Sequence, residues 1–219
     1  MSVGQRGVDE GEASASIMAM WCTIRTFAKH ARELGNQPLE EPVLFVKPEG
    51  CLHEDGPIPV SAHPGEVHHE VECVVRFGPD LNPVEVAVGL DLTDRLHQGL
   101  LRADQLPWSK AKCFRSSAVV GSWSPWTGSW DDLVDPAFGL QLTLSVNGDL
   151  RQQAPLHEMS IPPRQQVHAL LAWAPVLAND MLFTGTPEGV GELLPGDHVV
   201  ATLSNIEGEV LSVLDHRCA

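Results

Sequence analysis

The sequence predicts a β-rich α+β domain with few, short helices. Three observations lead there. Runs rich in β-branched residues, such as 67–75 and 84–93, have the length of strands. Helix-forming composition is confined to two stretches, 27–34 and 164–173. No strand–helix–strand rhythm and no internal repeat runs through the 219 residues, which argues against a doubly wound parallel sheet.

Taken in order, residues 1–16 are rich in Gly, Ser and Glu and read as a disordered tail. They lack the cationic start and apolar centre of a signal peptide. Residues 17–219 read as one domain. Residues 17–26 are apolar enough for a short strand. Residues 27–34 carry Ala28, Lys29, Ala31, Arg32 and Glu33, and Gly35-Asn36 supplies the helix stop. Pro42 and Pro48 bracket a strand. Gly and Pro then predict loop over 49–66, with an edge strand at 58–61. Residues 67–75 read as one strand and 84–93 as another. The indoles Trp123, Trp126 and Trp130 fall in a Gly/Ser loop and read as packing or dimer-contact residues. Leu140, Leu142, Leu144 and Val146 alternate with polar residues and run into Asn147-Gly148, a tight hairpin turn. Residues 184–191 form a loop whose glycines let a small ligand approach the backbone closely; they lack the Gly-Lys-Ser/Thr ending of a nucleotide-binding loop.

Composition narrows the partners. Fourteen Lys and Arg stand against 29 Asp and Glu, a formal charge of −15. Nucleic acid and anionic membranes need a basic surface, so neither is expected. No apolar run is long enough to span a bilayer. The five cysteines are odd in number and show no Cys-x-x-Cys spacing; they read as reduced thiols of a cytoplasmic protein.

The acidic residues carry the chemistry. On a strand, Glu70 and Glu72 leave on one face, and two like charges side by side call for a cation or a shared proton. Asp91 lies in the apolar run 87–92, where a charge is costly unless paired or metal-bound. Together they read as a divalent-cation site with oxygen ligands. His30 and Glu33 are i,i+3 neighbours on the first helix, a spacing that lets a carboxylate orient an imidazole as general base. In so acidic a chain, Arg25, Arg95 and Lys112 are candidates to anchor a carboxylate. A zinc site on His68 and His69 is disfavoured, because adjacent strand residues point to opposite faces.

In this order, these stretches resemble the fumarylacetoacetate hydrolase family from about Cys22 to Val213. The match is carried by residues 27–35, 42–48, 68–72, Asp91-Leu92-Thr93 with Arg95 and Gln98, Pro107-Trp108 through Lys112 and Phe114, Val146-Asn147-Gly148, and 184–191. The resemblance implies a β-rich roll with few short helices, commonly a homodimer. It implies Mg²⁺ or Mn²⁺ on Glu70, Glu72 and Asp91, and a water-activating dyad of His30 and Glu33 on a lid helix. It places Arg25, Arg95, Gln98, Lys112 and Thr186 along the substrate pocket, with Lys112 among the catalytic groups. The chain departs from the family pattern at Ile24, Thr26 and Phe27, where Gly-Arg-Asn-Tyr is usual around the arginine, and at Leu96 and Arg115, where acids are usual. The implied activity is metal-assisted carbon–carbon bond hydrolysis of a 2,4-dioxo acid such as an acylpyruvate. The alternative is decarboxylation or tautomerisation of oxaloacetate or a related 2-oxo diacid through an enolate. A third reading is a ligand-binding member with weakened turnover.

Overall fold

A computed structural model describes residues 18–37, 39–53 and 55–219. The tail expected over 1–16 therefore lies outside the described residues. Among the described residues, fourteen strands and four α-helices follow in order: β1 (Ala19–Ile24), α1 (Ala28–Glu33), β2 (Val43–Pro48), β3 (Val67–His69), β4 (Val71–Phe77), β5 (Pro83–Asp91), β6 (Thr93–Asp94), α2 (Arg95–Ala103), α3 (Ser109–Lys112), β7 (Ala118–Val120), β8 (Ser124–Pro125), β9 (Gln141–Val146), β10 (Asp149–Pro155), α4 (Pro163–Leu171), β11 (Met181–Phe183), β12 (Gly191–Glu192), β13 (His198–Ser204) and β14 (Val210–Arg217).

The strands build three sheets. The largest runs β2-β1-β11-β4-β5-β7, with β8 added to β5; a four-stranded sheet runs β10-β9-β13-β14; a small one runs β12-β3-β6. Strand alternation decides how they pack. Leu142, Leu144 and Val146 of β9, with Val199, Ala201 and Leu203 of β13, turn inward onto Cys73, Val75, Val86, Val88 and Leu90 of the large sheet. The other face of the large sheet buries Met20, Cys22, Val74, Met181 and Phe183. β4 is therefore covered on both sides, which explains its nearly unbroken apolar sequence.

Two departures from the sequence reading matter for the site. The single strand expected over 67–75 is divided at Glu70: β3 belongs to the small sheet and β4 to the large one. The 84–93 strand divides in the same way at Leu92. The two breaks face each other, since the Asp91 N–H donates to the Glu70 carbonyl at 2.9 Å. A change of sheet leaves hydrophobic periodicity almost intact, so it cannot be read from the pattern. The edge strand expected at 58–61 reduces to an isolated bridge between Ile58 and Cys218, followed by a 3₁₀ turn at Val60–Ala62. Pro57 and Pro59 flank Ile58 and offer no N–H to a ladder.

Helices α2 and α3 were not anticipated. α2 opens directly after β6, its N-cap supplied by Asp94, whose carboxylate accepts from the His97 N–H at 2.9 Å. Arg95 is thus the first residue of a helix. The Asn147-Gly148 hairpin forms as expected, both residues at positive φ. Trp126 and Trp130 are buried in the main core, and Trp130 lies 5.2 Å from the Phe77 ring.

Candidate active site

The break between sheets gathers the acids. Glu72 on β4 stands opposite Gly89 on β5, which makes Asp91 its diagonal neighbour on the same face. Glu70 sits at the break beside them. All three carboxylates are buried, with one oxygen of each within 4.8 Å of the others.

Cations surround them. The Lys112 ammonium donates to Glu70 Oε2 at 2.7 Å, Asp91 Oδ2 at 2.6 Å and Thr93 Oγ1 at 2.7 Å. Lys47 Nζ lies 2.6 Å from Asp91 Oδ1, out of hydrogen-bond alignment with it, and donates to the Leu92 carbonyl at 3.1 Å and the Ser117 carbonyl at 2.5 Å. Arg95 donates to Glu70 and, at 2.6 Å, to Gln98 Oε1. The Gly185 N–H donates to Glu72 Oε2 at 2.6 Å.

These neighbours bear on the protonation of Glu70 and Glu72. Burial acts to raise the Glu70 carboxyl, but Lys112, Arg95 and His30 outweigh it and hold the group well below the usual carboxylate range. Burial, and next the charge of Asp91, push Glu72 well above that range; the Gly185 N–H only partly offsets them. Burial works to lower the Lys112 ammonium, and Asp91 and Glu70 override it, so the group stays charged. Glu72 marks negative charge that the protein's own cations leave uncompensated. Three buried carboxylate oxygens with that excess are a donor set that suits Mg²⁺ or Mn²⁺.

The His30–Glu33 pair approaches from α1. His30 is buried, and its Nδ1 lies 3.1 Å from Glu33 Oε2. Glu33 Oε1 accepts from the Gly189 N–H at 3.0 Å, so the same carboxylate pins α1 to the 184–191 loop. With Nδ1–H directed at Glu33, Nε2 is the ring nitrogen left to take a proton. The parallel pairing of β1 with β11 brings that loop beside the β1–α1 turn. Gly185 has φ +96°, and a Cβ there would lie 2.0 Å from Thr26 Oγ1, so only glycine fits this approach.

One cavity is lined by every residue the sequence singled out except Glu33, which stands behind His30. Arg25 lines it from the turn after β1 with φ +55°, a left-handed conformation that costs a non-glycine residue about 1–3 kcal/mol. His68 lies beside this group; burial, and next Arg95, push its imidazole down to about 4, so it is neutral at pH 7.

Three contributors escaped the sequence reading. Lys47 left one signal, a lone cation in the apolar strand Val43–Pro48. Gln152 left none: Val71 N–H donates to its Oε1 at 3.1 Å, and its Nε2 donates to Thr186 Oγ1 and the Pro187 carbonyl, both at 2.8 Å. It turns inward because the β9–β10 register shifts between Leu150 and Gln152, and a bulge of this kind is invisible in composition. Arg102 lines the same cavity from α2, a helix that was not anticipated.

A buried acidic cluster, a histidine–glutamate pair and a basic cavity wall, set where the chain passes between the large and the small sheet, define a candidate cation-assisted active site. The chain belongs to the fumarylacetoacetate hydrolase family: the model of the fumarylacetoacetate (FAA) hydrolase C-terminal region matches residues 19–211. It is 36% identical over 195 residues to the oxaloacetate tautomerase YcgM of Escherichia coli (strain K12), covering 83% of this chain and 86% of that one. It is 26% identical over 198 residues to the mitochondrial oxaloacetate decarboxylase of Dictyostelium discoideum, covering 85% and 88%. Among solved structures it is similar to the fumarylpyruvate hydrolase of Pseudomonas aeruginosa in complex with Mn²⁺ and pyruvate, with TM-score 0.79, 27% identity and coverage of 95% and 93%. Among the described residues no helix is long and apolar enough to cross a membrane.

Proposed function

We propose that this chain is a divalent-cation-dependent enzyme of 2-oxo acid enol chemistry, acting on oxaloacetate or a close analogue as a keto–enol tautomerase. The observation that carries the reading is the His30–Glu33 dyad in one cavity with Glu70, Glu72 and Asp91. The relationship to an oxaloacetate tautomerase over most of both chains supports it. This reading replaces acylpyruvate hydrolysis as the leading one.

Tautomerisation needs three things: a base for the C3 proton, positive charge near the C2 oxygen, and a fixed substrate. His30, held through Nδ1 by Glu33, takes the C3 proton on Nε2; the C–H electron pair becomes the C2–C3 double bond, the C2=O π pair moves onto oxygen, and Nε2 returns the proton to that oxygen to give the enol. A cation held by Glu70, Glu72 and Asp91 would supply positive charge where the oxygen becomes electron-rich. Lys112 and Arg95 fix Glu70, and Gln98 fixes Arg95, so the ligand wall is pre-ordered. Gln152 aims Thr186 at the cavity.

The test follows the ultraviolet absorbance of enol-oxaloacetate with Mg²⁺ or Mn²⁺, alongside pyruvate release and loss of acetylpyruvate. Enol-to-keto conversion is expected to outpace both, and His30→Ala should cut it by about 10²–10⁴-fold. Hydrolysis of acetylpyruvate with oxaloacetate interconverting only at its uncatalysed rate would return the reaction to carbon–carbon cleavage. That second reading is favoured by the likeness to a fumarylpyruvate hydrolase, in which the dyad would activate water.

A further inference from the structure

The cations of the cavity divide into two sets. Lys112 is committed to Glu70, Asp91 and Thr93, and Arg95 to Glu70 and Gln98. Both are already ion-paired with acids of the cluster, although the Arg95 Nε has no hydrogen-bond partner among the described residues. Arg25 and Arg102 line the same cavity and take part in no ion pair among the described residues. The buried Arg25 Nε likewise has no hydrogen-bond partner among the described residues. Two guanidiniums brought together without an acid are unusual in a chain of formal charge −15. Burial, and next the nearby charge of Arg102, hold Arg25 below the usual arginine range, which places the two within electrostatic reach. Like charges so arranged repel until an anion lies between them.

We infer that Arg25 and Arg102 form a second carboxylate site, in the cavity that the acidic cluster also lines, and that it selects short 2-oxo dicarboxylates over 2-oxo monocarboxylates. The inference rests on the proposed enol chemistry for the role of the first carboxylate end, and names the group that recognises the other. Guanidiniums suit this task because their planar N–H forks match a carboxylate. Arg25 comes from the strained turn after β1 and Arg102 from the last turn of α2, so the site forms only when these two elements lie together. An acylpyruvate with an apolar far end would leave both guanidiniums without an anion, which is where discrimination arises.

Malate and lactate differ only in the second carboxylate and serve as non-reacting probes. Calorimetric titration of the Mg²⁺-loaded protein should show malate binding at least about tenfold tighter than lactate, as expected for one charge-assisted contact. Arg102→Gln should weaken malate about tenfold and move lactate less than twofold, and Arg102→Lys should restore part of the loss. Arg102 is exposed, so the variants should keep the wild-type melting temperature. Equal binding of malate and lactate by the wild type, or equal weakening of both by Arg102→Gln, overturns the inference. Because the probes do not react, the readout is separate from turnover. A protein that prefers malate through Arg102 yet leaves oxaloacetate untouched would sink the proposed reaction and keep the second carboxylate site.

Discussion

At the scale of single residues, the site depends on buried charges held in mutual register. Lys47 shows the stakes. Its ammonium is fully buried, faces Asp91 at 2.6 Å and donates to two backbone carbonyls. Removing one partner of a buried pair leaves the other charge stranded, which costs about 3–5 kcal/mol. Lys47→Met keeps the volume and deletes the charge, so urea unfolding should show a loss of that order with an unchanged denaturant slope. A loss under about 1 kcal/mol would mean that water or Lys112 already compensates Asp91, and that Lys47 is a spectator. The acids themselves were legible in the sequence because a carboxylate in an apolar run has few bland explanations. Lys47 stood in an equally apolar run, and its burial was predictable on the same grounds. Gln152 was not predictable, since a neutral amide in a polar strand carries no sign of the bulge that turns it inward.

At the scale of elements, hydrophobic pattern recovered most strands and the helices at α1 and α4, but not the places where the chain changes sheet. Those breaks, at Glu70 and Leu92, are what let Glu70, Glu72 and Asp91 converge. α2 was missed because Thr93-Asp94-Arg95 continues an apolar strand run without a Gly or Pro to mark the boundary. Its start is fixed by Asp94, whose carboxylate accepts from His97 N–H at 2.9 Å and lies 2.6 Å from His63 Nε2 and 2.7 Å from His97 Nδ1. Gly65 packs so closely that a Cβ there would sit 1.9 Å from Asp94 Oδ2. Burial acts to raise the Asp94 acid, but the donors on His97 and His63 outweigh it and lower the group below its usual value. A carboxyl depressed in the folded state contributes stability above its unfolded pKa, about 3.9, and loses that contribution as the pH falls through the folded value. Asp94→Ala should therefore cost about 1–3 kcal/mol at pH 7, from the lost helix cap and unpaired donors. The gap between wild type and variant should narrow only below about pH 4, read from urea midpoints across pH 7 to 3. A gap that stays constant over that range would show that the Asp94 carboxylate charge is not what secures α2.

At the scale of the whole molecule, the acidic pocket sits where the chain passes between the large and the small sheet, in a chain that already carries an excess of negative charge. The order of family motifs was legible along the sequence. The pairing of β1 with β11 was not, because strands near residues 20 and 182 carry no local sign of each other. That long-range pairing brings the Gly185 N–H to Glu72 and Glu33 to Gly189, so ligand wall, dyad and fold depend on one another. A cation seated on Glu70, Glu72 and Asp91 would bind the native state alone, since unfolding scatters the three acids. Ligand at a hundred times its Kd stabilises by about 2.7 kcal/mol, and a domain of this size gains about 2–4 °C per kcal/mol. Saturating Mg²⁺ or Mn²⁺ should thus raise the melting temperature by roughly 5–10 °C, with chelation reversing the gain. General attraction of cations to an acidic surface is the competing explanation, and it predicts a shift indifferent to any one buried acid. Glu72→Gln separates the two: it leaves the surface charge essentially intact, removes one donor oxygen's charge, and should abolish most of the shift. An undiminished shift in that variant would place the bound cation on the acidic exterior and leave Glu70 and Asp91 to their lysine partners.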